Sequence, residues 1–236
     1  AIAKENSLFL IFDEIYENII YNNALTAPMA KVIGQVPGIS LKGISKEVPW
    51  PGARCGWAEY YNRDQDDEFN KLCQTIDSAK MIEVSSTTLP QRAIPKIMTD
   101  PRYELFLKKT NRDIAKRSKK LYDFFSEIPY VNFNLTNGAF YNTIIFKEGV
   151  LNPEQQLSII DPKIKQLLTT WITPAMPLDQ RFIYYLLAAK QVCVVPISAF
   201  HTPLLGFRIT LLEENLKDQL EIFLRIKEGI MEYCGG

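Results

Sequence analysis

Leu8-Phe9-Leu10-Ile11-Phe12 contains no polar residue and runs straight into Asp13-Glu14. A run this short and this apolar has the pattern of a β-strand buried on both faces, as in a parallel sheet covered by helices. In such sheets ligands collect at the carboxyl ends of the strands, and Asp13 stands at that end. Residues 1–7 read as the last turns of a helix feeding the strand. With no Met at residue 1, the chain is expected to start in mid-domain.

Outward from this strand, residues 33–57 are rich in Gly, Pro and Ser and read as loop with short strands. Phe69, Leu72, Cys73 and Ile76 have helical spacing from Glu68 to about Met81. Helix is expected again over 88–98, broken by Pro90 and Pro95. A long helix follows Pro101, with Leu105, Phe106, Ile114, Leu121, Phe124 and Phe125 on one stripe and the basic cluster Lys116, Arg117, Lys119 and Lys120 on a solvated face. Beyond about residue 128 short strands alternate with helices: strands over 131–133, 139–146, 192–195 and 207–212, helices over 157–171, 179–190 and 216–233. The alternation is that of an α/β protein.

The 236 residues are 47% hydrophobic, enough for a sizeable core. Lys plus Arg and Asp plus Glu number 27 each, so nothing in the net charge favours nucleic acid as the main partner. Cys55, Cys73, Cys193, Cys234 and the single His201 show no zinc-ligand spacing. Scattered thiols fit a reduced cytoplasm, and no apolar run is long enough for a membrane span. His201 and the aromatics Trp50, Trp57, Tyr141 and Trp171 read as structural.

Three separated segments carry the chemistry: Asp13-Glu14-Ile15-Tyr16, Gly43-Ile44-Ser45-Lys46 through Arg54-Cys55-Gly56-Trp57, and Gly206-Phe207-Arg208. Taken singly they read as a helix cap, an exposed lysine and a surface ion pair. Taken together, in this order and spacing, they resemble the fold-type-I pyridoxal-phosphate (PLP) enzymes, class I/II aminotransferases in particular, and the alanine-aminotransferase-like subgroup most closely. That pattern is Asp-x-x-Tyr after a strand, then roughly thirty residues later Ser-Lys followed by Gly-x-Arg-x-Gly-(Trp/Tyr), with an Arg late in the chain. Lys46 and Arg54 keep the family's separation of eight. Asn137-Gly-Ala-Phe-Tyr141 and Val194-Val-Pro-Ile-Ser-Ala-Phe200 are weaker matches, and Ile197 stands where the family has Gly.

The resemblance implies an aspartate-aminotransferase-like PLP-transferase fold. Residues 1–105 would be the second part of the PLP-binding large domain, with a mixed or parallel sheet. Residues 106–236 would be the α+β small domain including the long connecting helix. It implies Lys46 as the amine that bonds PLP and afterwards moves the α-proton. Lys42, the nearby rival, stands at the wrong distance from the Gly/Arg pair. Asp13 would keep the pyridine nitrogen protonated, and Tyr16 would hydrogen-bond the ring's phenolic oxygen. Arg54 and Ser45 would hold the cofactor phosphate, and Arg208 the substrate α-carboxylate. Ser85 to Thr88 would reach a neighbouring subunit's phosphate or cap a helix.

The family's phosphate-binding turn, its ring-stacking aromatic and its Asn would precede residue 1, so this chain is expected to be the C-terminal part of a larger enzyme. The implied activity is transamination between an α-amino acid and a 2-oxo acid in a cytoplasmic homodimer, with the site at the dimer interface. The alternatives are another PLP reaction on the same scaffold, such as a C–S lyase or decarboxylase, and a non-catalytic aminotransferase-like domain or inactive fragment.

Overall fold

The computed structural model describes residues 1–235. They divide into two compact units, Ala1–Arg112 with Asn137–Ala139, and Asp113–Thr136 with the chain from Phe140 onward.

In the first unit a single helical turn, α1 (Ile2–Glu5), precedes β1 (Leu10–Asp13), and α2 (Met29–Val32) precedes β2 (Gly38–Gly43) and β3 (Gly56–Tyr61). The sheet order is β1-β2-β3. β1 pairs with β2 in parallel, Leu10 opposite Gly38 and Asp13 opposite Leu41. β3 runs back along β2, Gly43 opposite Gly56. A Cβ on Gly56 would stand 2.7 Å from the Lys42 carbonyl oxygen, so the register at this end of the pair needs glycine. The strand expected at Leu8–Phe12 exists, but it is not buried on both faces. Ile11 is 58% exposed, and among the described residues β1 pairs only with β2 and stands at the sheet edge.

α3 (Asp67–Lys80) starts where Asp66 accepts the Phe69 N–H at 2.7 Å. It sets Phe69 and Cys73 against Ile39 of β2. α4 (Thr88–Met98) is unbroken. Pro90 falls in its first turn, where the missing N–H has no intrahelical partner to lose, and Pro95 forfeits one internal bond without ending the helix. α5 (Pro101–Phe125) runs from the first unit into the second. The backbone at Asn137–Ala139 belongs to the first unit: Tyr21 N–H donates to the Asn137 carbonyl at 2.9 Å and Ala139 N–H to that of Ile19 at 2.8 Å.

The second unit contains β4 (Val131–Asn132), β5 (Tyr141–Phe146), α6 (Pro162–Trp171), α7 (Leu178–Lys190), β6 (Val195–Pro196), β7 (Gly206–Thr210) and α8 (Leu216–Gly235). Its sheet is antiparallel in the order β4-β5-β7-β6. The core is aromatic: Phe182 packs on Phe146, Phe207 and Tyr233 with centroid separations of 5.1, 5.9 and 5.2 Å. The structure departs from three expectations. Helix does not begin at Leu157 but at Pro162, because Asp161 caps it through Lys163 N–H at 2.8 Å and Pro162 takes the first helical position. The strand expected over 192–195 is confined to Val195–Pro196. In the basic cluster on α5, Arg117 is not solvated. Its side chain is 13% exposed and donates to the Leu211 carbonyl at 2.9 Å.

Candidate functional site

In the first unit the candidate residues come from two loops at the same end of the sheet. β1 ends on Asp13, whose Oδ1 accepts the Ile15 N–H at 3.2 Å, an Asx turn that bends the chain out of the strand. Two tight turns follow, Glu17 N–H to the Glu14 carbonyl and Ile19 N–H to the Tyr16 carbonyl, both at 3.0 Å, and Tyr16 sits within them. The second loop joins β2 to β3. Its neck is closed by Trp50 N–H donating to the Ile44 carbonyl at 3.1 Å, and it carries Ser45 and Lys46, both half-buried. A 3-10 turn at Pro51–Ala53 delivers Arg54 in the left-handed region at φ 49°. Arg54 is exposed and donates from Nη1 to the Pro51 carbonyl at 3.0 Å.

The structure brings Lys46 and Tyr16 together, with Nζ 5.7 Å from the ring centroid. Asp13 and Arg54 make local bonds within their own loops. Lys42, the other lysine near this loop, is held differently. Its Nζ lies 2.6 Å from Glu17, 3.5 Å from Glu14 and 3.9 Å from Glu59. Burial pulls its pKa down, but the Glu17 hydrogen bond and the three negative charges outweigh that and hold it above the ordinary 10.5. Glu14 is fixed in turn by Met29 N–H at 2.7 Å and Ser40 Oγ at 2.5 Å. Burial pushes its carboxyl up, yet these bonds and Lys42 bring it below 4.5. A lysine locked as ammonium by carboxylates is a poor nucleophile.

Residue-type and spacing reasoning missed Glu47. It is 9% exposed and accepts from the Asn18 backbone N–H at 2.8 Å, Asn18 Nδ2 at 3.0 Å and Tyr103 OH at 3.1 Å. Its burial and its donors, 29 and 56 residues away, are not legible in the residues alone. The segment at Ser85–Thr88 does not cap α4 through a side chain; instead Thr87 Oγ1 donates to the Ala53 carbonyl at 3.3 Å. A cleft of about 480 Å3 lined by Leu8, Phe9, Pro37 and Phe69 lies at the amino end of β1, opposite Asp13, and takes no part in this site.

Arg208 belongs to the second unit, on β7, opposite Thr143 and Val195. Its guanidinium carbon lies 4.3 Å from the centroid of the Tyr141 ring and 4.6 Å from that of Phe200, cation–π contacts that hold the fork. The approach to Arg208 is built by Asp179, which is fully buried. Its Oδ2 accepts Ser198 N–H at 2.9 Å and Gly206 N–H at 3.3 Å, and its Oδ1 accepts Gln180 N–H at 2.8 Å. Ile197 opens the 3-10 turn Ile197–Phe200 with ordinary negative φ, so this turn has no need of the Gly usual there. The left-handed residue is the exposed His201, at φ 55°.

Among the described residues no group of His, Cys, Asp and Glu could hold a metal ion, the four cysteines are free thiols, and no helix is long and apolar enough to cross a membrane.

Residues 1–223 match the model of the family described as aminotransferase class I and II. An uncharacterized aminotransferase of Methanocaldococcus jannaschii is 46% identical over 98% of this chain and 54% of its own length. Tyrosine aminotransferase of Caenorhabditis elegans is 26% identical over 97% of this chain and 43% of its own. Among solved structures, alanine aminotransferase from Pyrococcus furiosus superposes with a TM-score of 0.78 at 22% identity, over 98% of this chain and 51% of that one. This last likeness shows the fold. The chain spans about half the length of the relatives it matches.

Proposed function

The chain belongs to the class I and II aminotransferase family, and we propose that it carries the lysine-bearing part of a PLP-dependent transaminase that exchanges an amino group between an α-amino acid and a 2-oxo acid. The observation that carries the reading is the pair formed by Lys46 and Tyr16, while Lys42 is engaged by three carboxylates. The donor set fits PLP: a half-buried amine, a phenol beside it, a carboxylate at a strand end and a guanidinium on the same loop as the amine.

Lys46 would supply the amine that holds the cofactor and, once freed from it, the base that moves the substrate's α-proton. Asp13 is the carboxylate that holds a proton on the pyridine nitrogen. Tyr16 donates a hydrogen bond to the ring's phenolic oxygen. Arg54 and Ser45 bind the phosphate, the former by a charge-assisted fork. Arg208, its plane set by Tyr141 and Phe200, binds the substrate α-carboxylate. Bound PLP supplies the electron sink that the reaction needs. The natural assembly is a cytoplasmic homodimer, with residues 1–105 in the PLP-binding domain and 106–236 in the small domain.

The test is incubation with PLP followed, on one sample, by borohydride reduction and peptide mapping and, on a separate unreduced sample, by amino transfer to a 2-oxo acid. The label is expected on Lys46 and absent from Lys46→Ala, which should stay folded. A label on Lys42, or transfer by Lys46→Ala, refutes the assignment.

A further inference from the structure

Among the described residues only Glu47 and Asp179 are buried acids, and Glu47 is covalently next to Lys46. Its two oxygens take three donors from two other segments. Asn18, two residues past Tyr16, gives its backbone N–H and its side-chain amide, and Tyr103 of α5 gives its hydroxyl. Asn18 is held a second time, its carbonyl accepting Asn111 Nδ2 from α5 at 2.8 Å. One carboxylate therefore fastens the Lys46 loop, the Tyr16 turn and the first half of α5 to one another, all within the first unit.

Burying a carboxylate costs desolvation, which its three donors offset. What the carboxylate adds is direction: three donors converge on it from fixed places, so the backbone beside Lys46 has one position relative to the backbone beside Tyr16. We infer that Glu47 is a positioning residue for Lys46, setting where its amine lies over the Tyr16 ring without itself touching the reacting atoms. The importance of that placement for chemistry rests on the reading of Lys46 given above; the clamp itself does not.

The experiment compares this chain with Glu47→Gln, Tyr103→Phe and the double variant, by trace acetylation with acetic anhydride and mass spectrometry of each lysine. The readout is the rate at Lys46 relative to the exposed Lys71 and the half-buried Lys42. Glu47→Gln and Tyr103→Phe should each change the Lys46 ratio by about threefold or more, and the double variant no further than Glu47→Gln alone, because both residues belong to one network. Lys42, held by other carboxylates, should keep its ratio. A folded Glu47→Gln protein with an unchanged Lys46 ratio overturns the inference, and so does one in which Lys42 and Lys46 change together, the mark of general loosening. If Glu47→Gln fails to fold, Tyr103→Phe, which keeps the carboxylate, decides alone.

PLP labelling of the same samples separates the two readings. A responsive Lys46 ratio without a label on Lys46 in the unsubstituted chain supports the clamp and refutes the cofactor assignment. A label on Lys46 with an unresponsive ratio does the reverse.

Discussion

Replacing Asp179 by Ala should loosen the strand that carries Arg208, and the loss follows from what the carboxylate holds. Its three donors are the N–H groups of Gln180, Ser198 and Gly206. Gly206 is buried, so its N–H would lose the bond with no water to replace it. Ser198 is half-buried, and Gln180 lies in the first turn of α7, where solvent has access. Counting about 2 kcal/mol for Gly206, about 1 for Ser198 and a few tenths for Gln180 gives roughly 3 kcal/mol. If local opening governs exchange, that is about a hundredfold faster hydrogen exchange at the Gly206 amide. Asn at 179 keeps the shape and one acceptor, and should cost about half as much. The assay is amide exchange by NMR, read at Gly206 and Ser198 against a control amide in α8. An Asp179→Ala protein whose Gly206 amide exchanges at the original rate would mean that Asp179 does not hold this strand. Because Phe200 and Arg208 each lie two residues beyond one of these amides, the same variant should also weaken amino-acid binding while leaving PLP labelling at Lys46 intact.

Arg208→Lys should weaken binding of an α-amino acid by about tenfold to a hundredfold, measured by calorimetry, since an ammonium cannot present the planar fork; an unchanged affinity refutes the role of Arg208. The Lys42 cluster should make stability depend on pH. The folded pKa values of Glu14 and Glu59 lie below 4.5, so their stabilisation is present above 4.5 and is lost as pH falls through the folded values; that of Lys42 lies above 10.5, so its share is present below 10.5 and lost as pH rises past it. Lys42→Met should therefore destabilise the first unit at neutral pH and flatten the loss on the acid side, as urea unfolding at about pH 7 and about pH 3.5 would measure. Gly56→Ala should cost about 1–3 kcal/mol in the same assay, because its Cβ would meet the Lys42 carbonyl oxygen.

What could be read from the residues alone follows from the range of the interactions involved. Leu8–Phe12 announced a strand and Asp13 its end, because apolarity and a following acid are local signals. Whether that strand was central or at an edge was not local, and Ile11 proved exposed. The start of α6 was legible in Asp161-Pro162, a cap followed by a proline, but the apolar spacing reaching back to Leu157 outweighed it. Lys46 was singled out by its distance from Arg54; the physical reason Lys42 is unsuitable lies in Glu14 and Glu17 of the turn after β1 and Glu59 of β3, gathered from two segments. Glu47 and Asp179 were silent for the same reason. A buried acid is recognisable only through its donors, and those of Glu47 lie 29 and 56 residues away.

The short stretch Asn137–Ala139 bears on how this protein can be taken apart. The first unit is not a continuous piece of chain: the backbone groups of Ile19 and Tyr21 bond to residues more than a hundred positions later, and Tyr21 OH donates to the Gly138 carbonyl at 3.3 Å. A gene fragment stopping at Arg112 would encode every helix and strand of the unit but not the strap that closes it, leaving Tyr21, which is buried, with an unanswered N–H. A rearranged gene that appends Asn137–Ala139 to residue 112 through a short linker would restore the closure. Cutting and rejoining of this chain, in the laboratory or in evolution, is thus constrained by three residues that lie in the sequence of its other half.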